Sequence, residues 1–215
     1  MFKVDLHTHS VASHDGGISL RDYERTLDSG LLDCIAITDH NRIDFAQKAQ
    51  EQLGDRIIVG EEIMTTNGEV IGLFLTKPVP AGLMPKEAIK QIKDQGGIVY
   101  IPHPFETIRK GIHPAILDEL ADDVDIIEIC NGRAFLQNRR HKAVVWTKIN
   151  RKLGGASSDA HGYHGLGSTY TRVDAIPTRE TFIELFTRGI PIAHRPSVRA
   201  LAYPKYNVLR KRFKQ

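Results

Sequence analysis

Histidines and carboxylates recur where successive apolar runs of this 215-residue chain end. His7 and His9 close the first, in Asp5-Leu6-His7-Thr8-His9. His40 follows the second, in Thr38-Asp39-His40, and Glu61-Glu62 the third. His103 lies in Pro102-His103-Pro104, and Asp159 and His161 stand in Ser158-Asp159-Ala160-His161. In a parallel α/β protein the C-terminal ends of the strands share one face, so side chains far apart in sequence can meet there. Imidazoles and carboxylates converging on one rim predict a metal site.

Each residue has a plainer reading, which its company outweighs. His7 and His9 are two apart on a strand, so both point to one face and can chelate one ion. Asp15, in Ser13-His14-Asp15-Gly16, is close enough for the first loop to fold it over the same rim. Turn chemistry accounts for Asp39 and Asn41 but not for His40. Two carboxylates at a buried strand end are costly without a cation or hydrogen bonds, and strand alternation sends one of Glu61 and Glu62 inward and the other outward. The prolines flanking His103 remove backbone donors and suit a structural histidine as well as a ligand. Asp159 and His161 form a second i, i+2 pair. Mixed nitrogen and oxygen donors suit zinc, manganese or iron better than calcium or magnesium. They also exceed the needs of one tetrahedral ion, so two or three bridged divalent ions are expected, a cluster suited to hydrolysing phosphate esters. Asp159 or His161 is placed to handle a proton. Arg109 and Arg133 either clamp a phosphate at the same rim or pair with an acid such as Glu106. His14, His113, His141, His164 and His194 have no motif context.

The elements that must position these residues are short and rich in Val and Ile, as buried parallel strands are. Strands are expected at Lys3 to Leu6, Cys34 to Thr38, Arg56 to Val59, Val70 to Leu75, Ile98 to Ile101, Asp125 to Cys130, Gly155 to Ser157 and Pro191 to Ala193. Helices are expected from a Ser19 cap to Gly30, from Pro85 to Gly96-Gly97, over Gln137 to Leu153, and from a Thr178 cap to near Gly189. A Thr-Thr-Asn-Gly turn after Glu62 predicts one hairpin in an otherwise parallel pattern. The alternation points to an α/β barrel forming a single domain over 1–215.

Lys and Arg number 29 against 26 acids, but no acid follows Glu184 and eight bases do. The basic tail at about 195–215 is expected to be a solvated terminus with Tyr203, Tyr206 and Phe213 tucked onto the barrel, or else a nucleic-acid contact. No apolar run approaches a membrane span, and the start MFKVDLHTHS lacks signal-peptide character, so a cytoplasmic location without membrane contact is expected. Cys34 and Cys130 lie in apolar runs and read as small buried hydrophobes rather than a disulfide pair.

The ordered set DLHTHS, Ser13 to Gly16, ITDH, Gly60 to Glu62, PHP at His103 and SDAH resembles the PHP family, named for its polymerase and histidinol phosphatase members. GEEIMTTNGEVIGLFL, PHPFETIR and EICNGR resemble a subgroup of metal-dependent phosphoesterases within it. The resemblance implies a distorted, TIM-like barrel of seven β/α units with a trinuclear site at the strand C-terminal ends. It implies that His7, His9, Glu62 and Asp159 hold one metal and that Asp15, His40 and His161 hold another. Glu62 would bridge to a third, with His103. Many members carry a histidine on the strand after Gly-x-Glu; Glu69 stands in its place here, adding negative charge and hardness to the third site. The expected activity is hydrolysis of phosphate mono- or diesters in a small phosphorylated molecule or short nucleotide. Amidohydrolase-like chemistry on a carbonyl substrate, and a vestigial nucleic-acid-associated module, are the alternatives.

Overall fold

The computed structural model describes residues 1–134, 139–194 and 196–213. Gln137, where the longest expected helix begins, and Arg195 and Lys214 of the basic tail lie outside these residues. Among the described residues nine strands form one sheet: β1 (Phe2–Asp5), β2 (Cys34–Ile37), β3 (Ile57–Thr65), β4 (Gly68–Leu73), β5 (Ile98–Ile101), β6 (Ile126–Asn131), β7 (Leu153–Ser157), β8 (Thr169–Val173) and β9 (Ile190–Ala193). Their order is β7-β6-β5-β4-β3-β2-β1-β8-β9. β1, β2 and β3 pair in parallel, as do β5, β6 and β7; β4 runs against both β3 and β5, the expected hairpin. The sheet curls until β7 returns to β1, and beyond the two strands Thr8 bridges Ala160 in parallel and His9 N–H donates to the Ala160 carbonyl at 2.8 Å. The result is a nearly closed α/β barrel, with the β8–β9 hairpin on the other edge of β1.

Alternation along the strands decides which end becomes polar. Ile58, Ile71, Tyr100 and Ile126 belong to one buried apolar cluster. Glu62, Glu69 and Glu128 lie an even number of residues from Ile58, Ile71 and Ile126, on the same faces. Because β4 is reversed, moving back along it from Ile71 reaches the rim that the parallel strands reach by moving forward.

Helices cover the outside. Ser19 caps α1 (Leu20–Asp28), with Asp22 answering from the first turn as expected. Pro85 opens α3 (Pro85–Asp94), and Gly96 follows it at φ 72°, a left-handed turn that glycine adopts without strain. The helix expected from Thr178 starts later, as α6 (Phe182–Thr187), because Thr178 Oγ1 accepts from Thr181 N–H in a preceding turn. Among the described residues, the expected helix before Gly154 runs as α5 (Arg140–Asn150). Unforeseen are α2 (Asp44–Leu53), α4 (Pro114–Glu119), β8 and α7 (Val198–Arg212).

α7 corrects the reading of the tail. Ser197 caps it, and it continues through Pro204. Of the three aromatic residues expected to tuck in, Tyr203 packs against Gly162, whereas Tyr206 and Phe213 are 56% and 81% exposed. Ala200, Pro204 and Asn207 face the barrel with Tyr203. Among the described residues no helix is long and apolar enough to cross a membrane.

Candidate metal centre

The nine imidazoles and carboxylates expected as ligands meet at one rim, in overlapping groups whose donor atoms lie within 4.8 Å of one another. The i, i+2 geometry of the first pair holds, with Nε2 of His7 and of His9 3.1 Å apart. Glu62 Oε2 lies 3.4 and 3.2 Å from those nitrogens, and Asp159 Oδ1 3.7 and 3.6 Å. On one side, Asp15 Oδ2 is 3.0 Å from His161 Nε2, and its Oδ1 is 3.6 Å from His40 Nε2. On the other, Glu62 Oε1 is 3.1 Å from His103 Nε2. Glu69 comes within 3.7 Å of His103 Nε2 and 3.9 Å of His40 Nδ1. Glu62 therefore lies within 3.4 Å of His7, His9, His40 and His103. Asp159 and His103 hold φ of 53° and 28°, left-handed values that non-glycine residues seldom adopt. Such backbones persist where surrounding contacts over-determine them.

The ring tautomers give the cluster its character. His7 Nδ1 faces Glu128 Oε1 at 3.3 Å and His161 Nδ1 faces the Asp159 carbonyl at 2.9 Å. With a cation bound, each Nδ1 would carry the proton and each Nε2 would offer its lone pair to the ion. Acceptors crowd together, while the buried Nδ1 atoms of His9 and His103 have no hydrogen-bond partner. Such an assembly is costly unless positive charge lies between its members. The electrostatics of the site agree. Burial opposes charge on His7, yet Asp159, Glu62 and Glu128 raise its proton affinity well above the ordinary value. Burial also opposes charge on Glu62, but His7, His40 and His103 hold it well below the usual carboxylate range. Burial, with His161 and His40 nearby, pushes His9 down to about 3, and burial beside Glu62 pushes Glu69 up to about 8. The donor set thus fits a divalent cation, which would satisfy more of these acceptors than a single proton can.

Supporting residues hold the ligands in place. Glu128 accepts from His7, from the Tyr100 hydroxyl at 3.0 Å, from His103 N–H at 2.6 Å and from Asn131 Nδ2 at 2.7 Å. Sequence reasoning did not select Glu128 or Tyr100, although a carboxylate inside the apolar run Ile126-Ile127-Glu128-Ile129 was an available signal. Asp39 binds Ser10 through both backbone and hydroxyl, tying the end of β2 to the chain beyond β1. Glu61, on the outward face of β3, does not reach solvent. It is fully buried, its Oε2 accepts from Val79 N–H at 2.8 Å, and burial pushes it up to about 7.

Ten of the eleven singled-out residues line a cavity of about 570 Å³, with His7 buried beneath it. His14 stands at its mouth, its ring 5.0 Å from that of His40. Arg109 makes the pairing with Glu106, through Nε at 2.9 Å and Nη2 at 2.6 Å. Its Nη1 donates to Asn131 Oδ1 at 2.7 Å and to Asp159 Oδ2. Arg133 Nη1 donates to Asp159 Oδ1 at 3.2 Å and lies 3.3 Å from the His161 ring. Burial would raise Asp159, but Arg133, His7, His161 and Arg109 keep it well below the usual range.

No protein-family model matches the chain. Two uncharacterized proteins of Methanocaldococcus jannaschii are similar in sequence. One is 37% identical over 143 residues, covering 60% of this chain and 82% of that protein; the other is 34% identical over 182 residues, covering 79% and 70%. Among solved structures, a two-domain Bacteroides vulgatus protein containing a predicted PHP-like metal-dependent phosphoesterase superposes with a TM-score of 0.73 at 22% identity, over 90% of this chain. This chain spans 65% of that protein's length. An amidohydrolase of Chromobacterium violaceum, with bound sulfate and no metal, gives a TM-score of 0.62 at 16% identity over 91% of this chain and 99% of its own. At these identities the likeness establishes the barrel fold.

Proposed function

We propose that this chain, which belongs to the same family as the two Methanocaldococcus jannaschii proteins, is a metal-dependent phosphoesterase of the PHP type. The observation that carries the proposal is the convergence of imidazole nitrogens and carboxylate oxygens around Glu62, with the Nδ1 atoms of His7 and His161 held by Glu128 and the Asp159 carbonyl. His7, His9, Glu62 and Asp159 would hold one divalent ion, and Asp15, His40 and His161, with His9 at their edge, a second. Glu62, His103 and Glu69 would hold a third. Manganese, zinc and iron suit these donors. Bound there, the ions would supply a hydroxide nucleophile near neutral pH and neutralise charge on phosphoryl oxygens.

The remaining steps fall to the chain itself. Arg133 sits at the cavity wall, where a guanidinium can meet a phosphate oxygen. Arg109, whose Nε, Nη1 and Nη2 all donate to protein acceptors, orients Asp159. Proton transfer by Asp159 or His161 competes with ligation for the same atoms. His161 has only Nε2 free of its neighbour's carbonyl, and both Asp159 oxygens receive guanidinium hydrogen bonds. Both residues are therefore assigned to ligation and orientation.

The test is a panel of phosphomonoesters, phosphodiesters and a carbonyl ester or amide, run on protein reloaded with manganese, zinc or iron, beside elemental analysis of the purified protein. Metal-dependent turnover of a small or short phosphate ester is expected. Turnover of the carbonyl substrates alone would favour amidohydrolase chemistry. Metal-independent activity would remove the basis of the proposal. The basic tail adds a comparison within the panel: salt-sensitive oligonucleotide binding lost with Arg210 and Arg212 would assign the exposed side of α7 to a polynucleotide backbone.

Glu69 offers a test of the third position. Glu69→His is expected to retain that ion and Glu69→Ala to bind it about 10- to 100-fold more weakly, read by metal titration. Equal metal content and kinetics in both variants would show that Glu69 is not a ligand.

A further inference from the structure

We infer that α7 is part of the centre, with Asn207 and Lys211 acting as positioning residues for Asp15 and His161. This rests on the reading that those two residues hold a cation. Asn207 is 4% exposed, and its Nδ2 donates to the Asp15 carbonyl at 2.9 Å and to the His161 carbonyl at 2.8 Å. One amide group thus uses its two protons to fix the backbones of two residues 146 positions apart whose side chains face each other at 3.0 Å. Lys211 Nζ donates to the carbonyls of Val11 at 2.9 Å, Gly16 at 2.8 Å and Ser13. An ammonium has three protons, and all three are spent on the loop that carries Asp15.

The barrel is shaped to admit this helix. A Cβ on Gly17 would come within 2.7 Å of Asn207 Nδ2, and one on Gly162 within 2.5 Å of the Tyr203 ring. Apolar groups dock α7 as in any helix, through Ala200, Tyr203 and Pro204, but here a buried amide and an ammonium join them at the contact. Within the group formed by His9, Asp15, His40 and His161, the first and third are fixed by the sheet, through the bridges beyond β1 and β2. The backbones of Asp15 and His161 are tied together from outside by α7. The group formed by His7, His9 and Asp159 has no contact with Asn207 or Lys211 among those described. Loss of the contact is therefore selective for one ion.

Asn207→Asp tests this, because it keeps the volume and removes both donors. Apoprotein of the wild type and the variant would be titrated with manganese or zinc and counted by elemental analysis, with circular dichroism to verify the fold. The expected result is one equivalent lost or bound about 10- to 100-fold more weakly, while the remaining equivalents keep their affinity. Gly17→Ala, which displaces Asn207 without altering its chemistry, is expected to do the same. Wild-type stoichiometry and affinity in folded Asn207→Asp would overturn the positioning role, and so would a uniform loss of all equivalents. Should that variant not fold, Lys211→Met decides by the same criterion. A wild-type protein that binds no transition metal would overturn the phosphoesterase reading itself, and this inference with it.

Discussion

Replacing His7 and His9 together by alanine is expected to lower phosphate-ester hydrolysis more than about a thousandfold and to remove at least one metal equivalent. The size follows from what is lost: a single preorganised group that stabilises transition-state charge is already worth about 10²–10³ in kcat. Here two ligands of the same ion go at once. Both imidazoles are fully buried, so their removal also leaves Glu62 and Asp159 facing each other with less positive charge between them. Elemental analysis and single-turnover assays on the variant check the outcome. Retained metal with full activity would show that the first pair is structural.

The second large effect concerns Arg109, and it falls on stability. Its guanidinium links Glu106, Asn131 and Asp159 within the cavity wall. Arg109→Met would leave Glu106 and Asp159, 6% and 1% exposed, without that partner. Breaking a buried pair on one side costs about 3–5 kcal/mol. With a urea dependence of about 2 kcal/mol per molar, the unfolding midpoint of the metal-free protein should fall by roughly 1.5–2.5 M. Loaded with metal, Asp159 regains a cationic neighbour, so the difference should shrink. An unchanged midpoint together with a raised KM would instead make Arg109 a substrate clamp, the other of the two roles its sequence context allows.

How much of this was legible in the sequence depends on whether a residue acts through its type or through its neighbours. The ligands announce themselves because histidine and aspartate have little reason to end apolar strands such as Cys34–Ile37 or Leu153–Ser157. The reversed strand β4 was legible from the Thr-Asn-Gly turn. β8 was not, because Thr169–Val173 alternates polar and apolar residues weakly and buries two threonines, Thr169 and Thr171, where a strand between two partners would be expected to bury apolar groups. α7 was hidden by Pro204, which argues against a helix interior, and by a charge run that reads as solvated. The roles of Asn207 and Lys211 lay further out of reach. Their partners are backbone carbonyls, which leave no trace in residue type; only Gly17 and Gly162, small where α7 approaches, hint at the contact.

The barrel's seam gives the centre a mechanical meaning. Beyond β1 and β7 the chain is joined by the Thr8–Ala160 bridge and the His9 N–H bond, and His9 and His161 flank that joint with their rings 4.1 Å apart. An ion held by His9, Asp15 and His161 would rivet β1 to β7, so it can bind tightly only after the barrel has closed. By linkage, it would resist reopening in proportion to the logarithm of its concentration over its dissociation constant. Backbone amides of residues 8–10 and 158–161 should then exchange with solvent more slowly when metal is added than those of β3 and β4 on the far wall, which would make the seam a gauge of occupancy independent of any substrate.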